Sequence, residues 1–428
     1  MRVLIVGASG LIGSAVAARL AGRGDIVVPV MRRPTSLGLV DAVPVLIDVA
    51  RAKDPVHWLP HLNGIDAVVN CAGILQDSPG NSTAGVHHEG MAALFRACEA
   101  SGVRRVVHLS AVGVDRGTPT EFSRSKLAGD KALMARDLDW VILRPSVVIG
   151  RAAYGGSALF RGLAALPVLP LMPDTGPLQV VHLDDVVDAI VFFLRPDAPA
   201  RRVLDLVGPK RWRFEELVAL FRRWLRLPPA RVVHLPGWLA AVLYRLGDLV
   251  ALLGWRPPLR TTAKVEIVRG AVGDPRPAAE LGLPTRDLSA ALMAEPASVQ
   301  ERWFARLYFV KPLVFVIFAA FWLATGLISL GPGWDIGVGL MLEGGVQQPM
   351  ASLTVIAGAL ADIVIGLAIA YRPTTRPGLY AALAISFTYA VIGTILVPRL
   401  WIDPLGPMLK IWPVITFNLV ALAILDDR

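Results

Sequence analysis

Four apolar stretches crowd the last third of this chain, at residues 307–330, 351–371, 378–397 and 405–425. Each approaches the roughly 20 residues a helix needs to cross a bilayer. Nothing before residue 300 matches them. The nearest candidate, Leu235–Gly254, is interrupted by Arg245 and Asp248. It reads as an amphipathic helix, packed on its domain or lying at a membrane surface. Apolar residues make up 54% of the 428 and charged residues 18%, against about 25% charged in soluble domains. That balance excludes a disordered chain and a wholly soluble one.

Charge gives the membrane segments a direction. Arg302, Arg306 and Lys311 flank the first stretch, and Arg372 and Arg376 sit between the second and third. Gly331–Met350 carries Asp335 and Glu343 but no Lys or Arg. By the positive-inside rule, residues 1–306 and the C-terminus face the cytoplasm of a multi-pass inner-membrane protein, with Arg399 the exception. The net charge of +9 is read as part of this pattern. No run of five or six basic residues suggests a nucleic-acid partner. Cys71 and Cys98, the only cysteines, provide no disulfide framework.

The N-terminus carries the chemistry. The apolar Val3–Val6 leads into Gly7-Ala8-Ser9-Gly10-Leu11-Ile12-Gly13, followed by helical Ser14–Gly22. Strand, glycine turn and helix in that order bring backbone N–H groups to a pyrophosphate. Gly7, Ser9, Gly10, Leu11, Ile12 and Gly13 are the candidate contacts. A second strand, Ile26–Met31, ends in Arg32-Arg33 rather than in a carboxylate. Guanidiniums there suit a 2′-phosphate, which favours NADP(H) over NAD(H). A third strand, Val45–Val49, places Asp48 near the adenine. Strands Ala67–Val69 and Val106–Leu109 follow, ending at Asn70-Cys71-Ala72-Gly73 and Ser110. Alternating strands and helices imply an α/β, doubly wound parallel sheet. Paired histidines at 57/61 and 87/88 lack a third ligand of suitable spacing, so they read as surface residues and no metal is expected.

The glycine turn, Asn70-Cys71-Ala72-Gly73, His108-Leu109-Ser110, Lys126, Arg144-Pro145-Ser146 and Val181–Val186 together resemble the extended or atypical short-chain dehydrogenase/reductase family. The likeness covers roughly residues 1–290 and is nearest to the branch of the nucleotide-binding accessory subunit of respiratory complex I. It implies a Rossmann-type domain with a small substrate-side lobe and cofactor contacts at Cys71, Ala72, Gly73, Lys126 and Pro145. Residues 291–306 are then a linker. The four apolar stretches resemble the DoxX-like membrane domain, over 307–428.

The family's chemistry uses a Tyr and a Lys four residues apart on a helix. Here Phe122-Ser123-Arg124-Ser125-Lys126 keeps the lysine and replaces the tyrosine with Phe122. Phenylalanine has no exchangeable proton, so whether the chain is an enzyme stays open. Lys126, Ser110 and Ser123 are the remaining catalytic candidates, and Tyr154 is a loop residue that enters the site on one reading. Glu215–Leu227 reads as a helix with Arg222, Arg223 and Arg226 on its solvent face. In the membrane part, Asp362 is a proton or quinone-type site or a helix-packing group, with Lys410 its candidate partner. Two functions follow. One is an NADP(H)-dependent oxidoreductase acting on a hydrophobic, membrane-borne substrate such as a quinone or lipid, with Leu159–Pro173 as its lipid-facing entrance. The other is a non-catalytic NADPH-binding scaffold, sensor or assembly factor that docks a membrane-protein partner.

Overall fold

The computed structural model describes residues 1–35, 37–38, 42–77 and 82–426. It divides into two units: Met1–Asp248 with Pro257–Ala305, and Leu249–Arg256 with Arg306–Arg428.

The first unit is built on seven parallel strands: β1 (Arg2–Val6), β2 (Ile26–Met31), β3 (Val45–Leu46), β4 (Ala67–Asn70), β5 (Arg105–Leu109), β6 (Asp139–Pro145) and, later in the chain, β10 (Arg202–Leu206). Their spatial order is β10-β6-β5-β4-β1-β2-β3. The strands read as apolar runs because helices cover both faces of the sheet. Val3 and Ile5 point into one core with α1 (Leu11–Ala21) and α5 (Leu183–Phe193). Leu4 and Val6 point into the other with α2 (Gly90–Ser101), as the two-residue period of a strand requires. The order reverses between β1 and β4, and a crevice at that switch point is where such sheets bind ligands. Strands β6 and β10 were not read from the sequence. The expected Val45–Val49 strand shortens to two residues because β3 is an edge strand that pairs only through Val45 and Leu46.

Between these strands lie α3 (Glu121–Met134), β7 (Val148–Ile149), α4 (Gly155–Ala165), β8 (Val168–Leu171) and β9 (Val181–His182). After β10 come α6 (Phe214–Trp224), β11 (Arg231–His234), α7 (Gly237–Leu252), α8 (Thr261–Arg269), α9 (Arg276–Glu280), α10 (Leu288–Ala294) and α11 (Val299–Leu307). Residues 291–306, read as a linker, thus carry helix. In the small lobe Phe160 packs on Phe214 and Phe221. Two expectations change here. Arg222 is buried rather than on a solvent face, and its guanidinium donates to the carbonyls of Ala164, Leu166 and Pro228. In the stretch Leu159–Pro173, Phe160, Leu163, Ala164, Leu169 and Leu171 are buried in the lobe, so these apolar side chains do not form the lipid-facing surface expected of them, while Pro167 and Val168 are exposed.

The second unit is helical: α12 (Val310–Leu330), α13 (Trp334–Glu343), α14 (Met350–Ala370), α15 (Thr375–Leu396) and α16 (Ile411–Ile424). Among the described residues, α12, α14 and the helix ending at Leu396 are long and apolar enough to cross a membrane. The fourth expected span, 405–425, is a correction. Its helix starts only at Ile411 and has 14 residues, because Gly406 takes φ +57° and prolines at 404 and 407 interrupt the approach. Small residues set the packing. A Cβ on Gly326 would lie 2.4 Å from the Ala359 oxygen, and one on Gly366 2.8 Å from the Leu323 nitrogen. Such residues let membrane helices approach closely.

Asp362 is buried in this bundle, and its partner is Tyr389 rather than Lys410: the phenol donates to Asp362 Oδ1 at 2.9 Å. Lys410 instead precedes the first residue of α16, with no side-chain hydrogen bond to the helix end. Arg399, the exception to the charge pattern, forms a two-pronged pair with Glu343 at 2.5 and 2.6 Å. Tyr389→Phe should lower the stability of the bundle by about 0.5–1 kcal/mol, read as a lower midpoint when helicity is melted in detergent. An unchanged midpoint would mean the bond contributes nothing to helix association.

Candidate nucleotide site

The glycine turn sits at the switch point between β1 and β4. Gly7 adopts φ +77°, a conformation that glycine enters without strain. Its N–H donates to the Val30 carbonyl at 3.1 Å. A Cβ there would meet the Ala72 nitrogen at 2.8 Å, and one on Gly13 would meet the Gly7 oxygen at 2.2 Å. The turn therefore needs glycine at both places, one beside the β4 loop and one where α1 crosses the strand end. At Gly10 a Cβ would meet only the Gly7 oxygen at 3.3 Å. No side chain caps α1, and its first turn holds no acidic residue. The unshared N–H groups of Leu11, Ile12 and Gly13 fit an anion such as a pyrophosphate, and Ser9 is exposed beside them. Gly13→Ala should destabilise this unit by about 1–3 kcal/mol and abolish nucleotide-dependent protection. A thermal melt with and without NADPH checks both effects, and a retained NADPH shift would contradict the assigned turn.

At the end of β4 a buried polar network begins. The Ala72 N–H donates to Asn70 Oδ1 at 3.0 Å, which turns Asn70 Nδ2 toward His108 Nδ1 at 2.8 Å. His108 therefore accepts at Nδ1 and carries its proton at Nε2. That nitrogen lies 3.4 Å from Asp130 Oδ1. Asp130 Oδ2 accepts from Arg144 Nε and Nη2 at 3.2 and 3.0 Å. Arg144 also reaches Asp115 at 2.5 Å. Burial pushes the His108 imidazole down against the pull of Asp130. Burial works to raise the Asp130 carboxyl, but His108, by hydrogen bonding and charge, and then Ser110 and Arg144, hold it below the usual carboxylate range.

Lys126 lies one helical turn before Asp130 on α3 and is buried. Its ammonium donates to the carbonyls of Leu109 at 2.8 Å and Ala72 at 3.3 Å. Burial pushes the amine down to about 8, with Asp130 and Cys71 opposing. The structure thus brings Cys71, Ala72, Gly73 and Lys126 together: a Cβ on Gly73 would lie 3.3 Å from Lys126 Nζ. Burial pushes the half-buried Cys71 thiol up to about 12, which disfavours the thiolate. Pro145 closes β6, and its carbonyl accepts from the Val112 N–H at 3.1 Å.

Other sequence candidates fall elsewhere. Arg32 and Arg33 are exposed just beyond β2. Asp48 is half-buried in a turn, accepting from the Ala50 N–H at 3.2 Å. Ser110 is buried at the end of β5 beside Asp130. Ser123 is occupied: it donates to Glu266 Oε1 at 2.9 Å and accepts from Arg269 at 2.9 Å. Arg269 in turn pairs with Glu266 at 2.8 Å, so α8 locks the start of α3. Tyr154 heads α4, where its backbone exchanges hydrogen bonds with Ser157 Oγ. His87 is buried, against its reading as a surface residue. His87 Nε2 accepts from the Ile74 N–H at 3.0 Å, and its ring meets Phe122 edge-on with centroids 5.6 Å apart. Burial, then the charge of Lys126, pushes it well below its ordinary value. The described residues hold no cluster of metal-ligating side chains. Sequence reasoning missed Asp130, Glu266 and Arg269, and it quoted Arg144 as part of a motif without its partner. Only the four-residue step from Lys126 to Asp130 signalled any of them.

A parallel sheet with a glycine turn at its switch point and a buried lysine on the following helix defines an NAD(P)-binding Rossmann domain of short-chain dehydrogenase/reductase type. Residues 7–160 match the NAD(P)H-binding family, and residues 319–419 match the DoxX-like family. The chain therefore joins that nucleotide-binding domain to a DoxX-like domain, and it is a membrane protein. It is 28% identical over 246 residues to dihydroflavonol 4-reductase of Zea mays, spanning 47% of this chain and 68% of the relative. It is 27% identical over 132 residues to ceramide reductase of Caulobacter vibrioides, spanning 31% and 41%. It is 24% identical over 231 residues to photosystem II assembly factor Ycf39 of Synechocystis, spanning 52% and 67%. Among solved structures, MoeE5 in complex with UDP-glucose and NAD matches with TM-score 0.53 at 20% identity, over 72% of this chain and 99% of that one.

Proposed function

We propose that this protein is a membrane-embedded NADP(H)-dependent oxidoreductase acting on a hydrophobic, membrane-borne substrate. The observation that carries the reading is Lys126, a buried amine anchored on Ala72 O and Leu109 O beside the glycine turn. An amine there suits a nicotinamide ribose, and NADPH when bound supplies a hydride. The turn receives the pyrophosphate, and Lys126 holds the ribose. Phe122 provides an apolar wall and no proton. A quinone-type or lipid acceptor that takes its protons from water fits a site without the tyrosine. The DoxX-like domain supports a substrate dissolved in the bilayer, and ceramide reductase is a relative named for a lipid. The cytoplasmic membrane, with the nucleotide-binding domain inside, is the arrangement favoured by Arg302, Arg306, Lys311, Arg372 and Arg376.

One observation favours a second reading. Phe122 lacks a hydroxyl and Ser123 is occupied by Glu266 and Arg269, which suits a protein that binds NADPH without turning it over. Ycf39 is a relative named as an assembly factor. NADPH fluorescence with the full-length protein in lipid nanodiscs separates the two. Protein-dependent decay on adding a short-chain quinone or a lipid extract supports the enzyme. A bound signal that stays constant supports the scaffold. Phe122→Tyr restores a hydroxyl one turn from Lys126, and a general acid contributes roughly 10²–10⁴-fold. It should raise the decay rate on a carbonyl substrate at least about tenfold.

Cofactor choice rests on Arg32 and Arg33. Replacing both with Ala should weaken NADPH roughly 10–100-fold, the value of a charged hydrogen bond to phosphate, and leave NADH nearly unchanged. Equal losses in parallel fluorescence titrations would overturn the 2′-phosphate assignment.

A further inference from the structure

Two helices carry apolar stripes that the described residues leave exposed. On α7 the stripe is Trp238, Val242, Leu246 and Leu249, continued by Leu253 just past its end, each at least 43% exposed and Trp238 70% exposed. Steps of four, four, three and four residues keep these side chains on one face of a helix. The opposite face, Ala240, Tyr244 and Ala251, is buried. Gly247 on that face brings α7 against the Leu259 carbonyl, where a Cβ would sit 1.7 Å away. On α11 the stripe is Val299, Trp303 and Leu307, continued by Val310 at the start of α12, and Trp303 is 65% exposed. Arg245 and Arg306 are exposed on the same two helices.

Both stripes run on along the chain into residues of the membrane unit, Leu249 and Leu253 in one and Leu307 and Val310 in the other. The residues after α7 are pinned there: the Arg372 N–H donates to Leu253 O at 2.9 Å, and Trp255 Nε1 donates to Ala370 O at 2.8 Å. Arg372 stacks over the Trp255 ring. The same ring lies 4.9 Å from Phe315 near the start of α12, the helix that α11 enters. This is the end that carries Arg372 and Arg376, paired with Asp426, as expected of a membrane–water boundary.

We infer that the apolar stripes of α7 and α11 lie in the boundary between lipid head groups and acyl chains, with Arg245 and Arg306 toward anionic head groups. A tryptophan-bearing stripe flanked by arginine has the composition of an interfacial helix. Continuity with the bundle supplies the depth, because each stripe runs into a segment of the membrane unit. The occupant is the bilayer surface, not a second protein. The inference is independent of whether NADPH is turned over.

The test uses the full-length protein in nanodiscs containing anionic lipid. Leu246→Cys on α7 and Trp303→Cys on α11 are labelled with a polarity-sensitive fluorophore, and Lys131→Cys on the exposed face of α3 is the control. Cys98 is buried and Cys71 half-buried, and burial pushes both thiols up to about 12, so label goes to the introduced cysteine. At both stripe positions, quenching by lipid-borne nitroxide should exceed that at Lys131→Cys by at least about twofold, with iodide quenching reduced. Iodide quenching equal to the control would overturn the inference. Protection from both quenchers would also overturn it, because a protein would then cover the stripe. Agreement between two positions on separate helices guards against a local disturbance at either one.

Discussion

Asp130→Ala is expected to destabilise the nucleotide-binding unit by about 3–5 kcal/mol, the cost of leaving a buried charge without its partner. Asp130 is fully buried, and Arg144, itself 7% exposed, gives it two hydrogen bonds. Its other oxygen faces His108 Nε2. Removing the carboxylate leaves the guanidinium with Asp115 alone, which is half exposed and a weaker anchor. The effect passes through His108 and Asn70 to the Ala72 N–H, so the β4 loop should loosen as well. Thermal unfolding of the full-length protein reads the first effect, and hydrogen exchange at Ala72 reads the second. A double variant, Asp130→Ala with Arg144→Met, should recover much of the loss, since an apolar pair replaces an uncompensated cation. If the double variant loses as much as the sum of both single changes, the pair is not coupled. The pH dependence has a definite sign. Because the Asp130 carboxyl is held below its usual value, its stabilisation is fully present above the unfolded value near ~3.9 and is lost as pH falls through the folded one.

Lys126→Met should reduce NADPH affinity roughly 10–100-fold, because it removes a charged donor and keeps the length of the side chain. The amine titrates near 8, so NADPH binding by the natural protein should weaken as pH rises through that value. The Met variant should bind weakly at every pH. Stability moves the other way. The folded amine is pushed below its unfolded value of 10.5, so burying the charge costs most below pH 8. Between about 8 and 10.5 the unfolded chain binds the extra proton, and stability rises with pH relative to the Met variant. NADPH titrations and melts across that window check both signs. Binding unchanged by Lys126→Met would remove the cofactor from this position.

What could be read in advance follows from the range of the forces. The glycine turn is local: strand, turn and helix occupy residues 2–21, and their order alone predicts close backbone contact. The helices α12, α14 and α15 were legible because a bilayer asks only for length and apolarity. Span four was overestimated because hydropathy counts Leu405, Met408 and Leu409 as apolar while helix geometry rejects the prolines at 404 and 407. The replacement of tyrosine by Phe122 was visible from its spacing to Lys126. Arg222 was misplaced because a helical wheel does not register the carbonyls of Ala164 and Leu166 waiting beyond one edge.

The sequence by itself thus determined a parallel nucleotide-binding sheet, an apolar bundle after it, and a reductase-like helix without its usual acid. Tertiary structure alone decided which polar groups are buried and with whom. Asn70 finds His108 across 38 residues, Asp130 finds Arg144 across 14, Asp362 finds Tyr389 across 27 and Glu343 finds Arg399 across 56. Hydropathy and periodicity report how much apolar surface a segment must hide. They do not report which of many similar charges is drawn into a low-dielectric site, since packing of distant elements sets that choice.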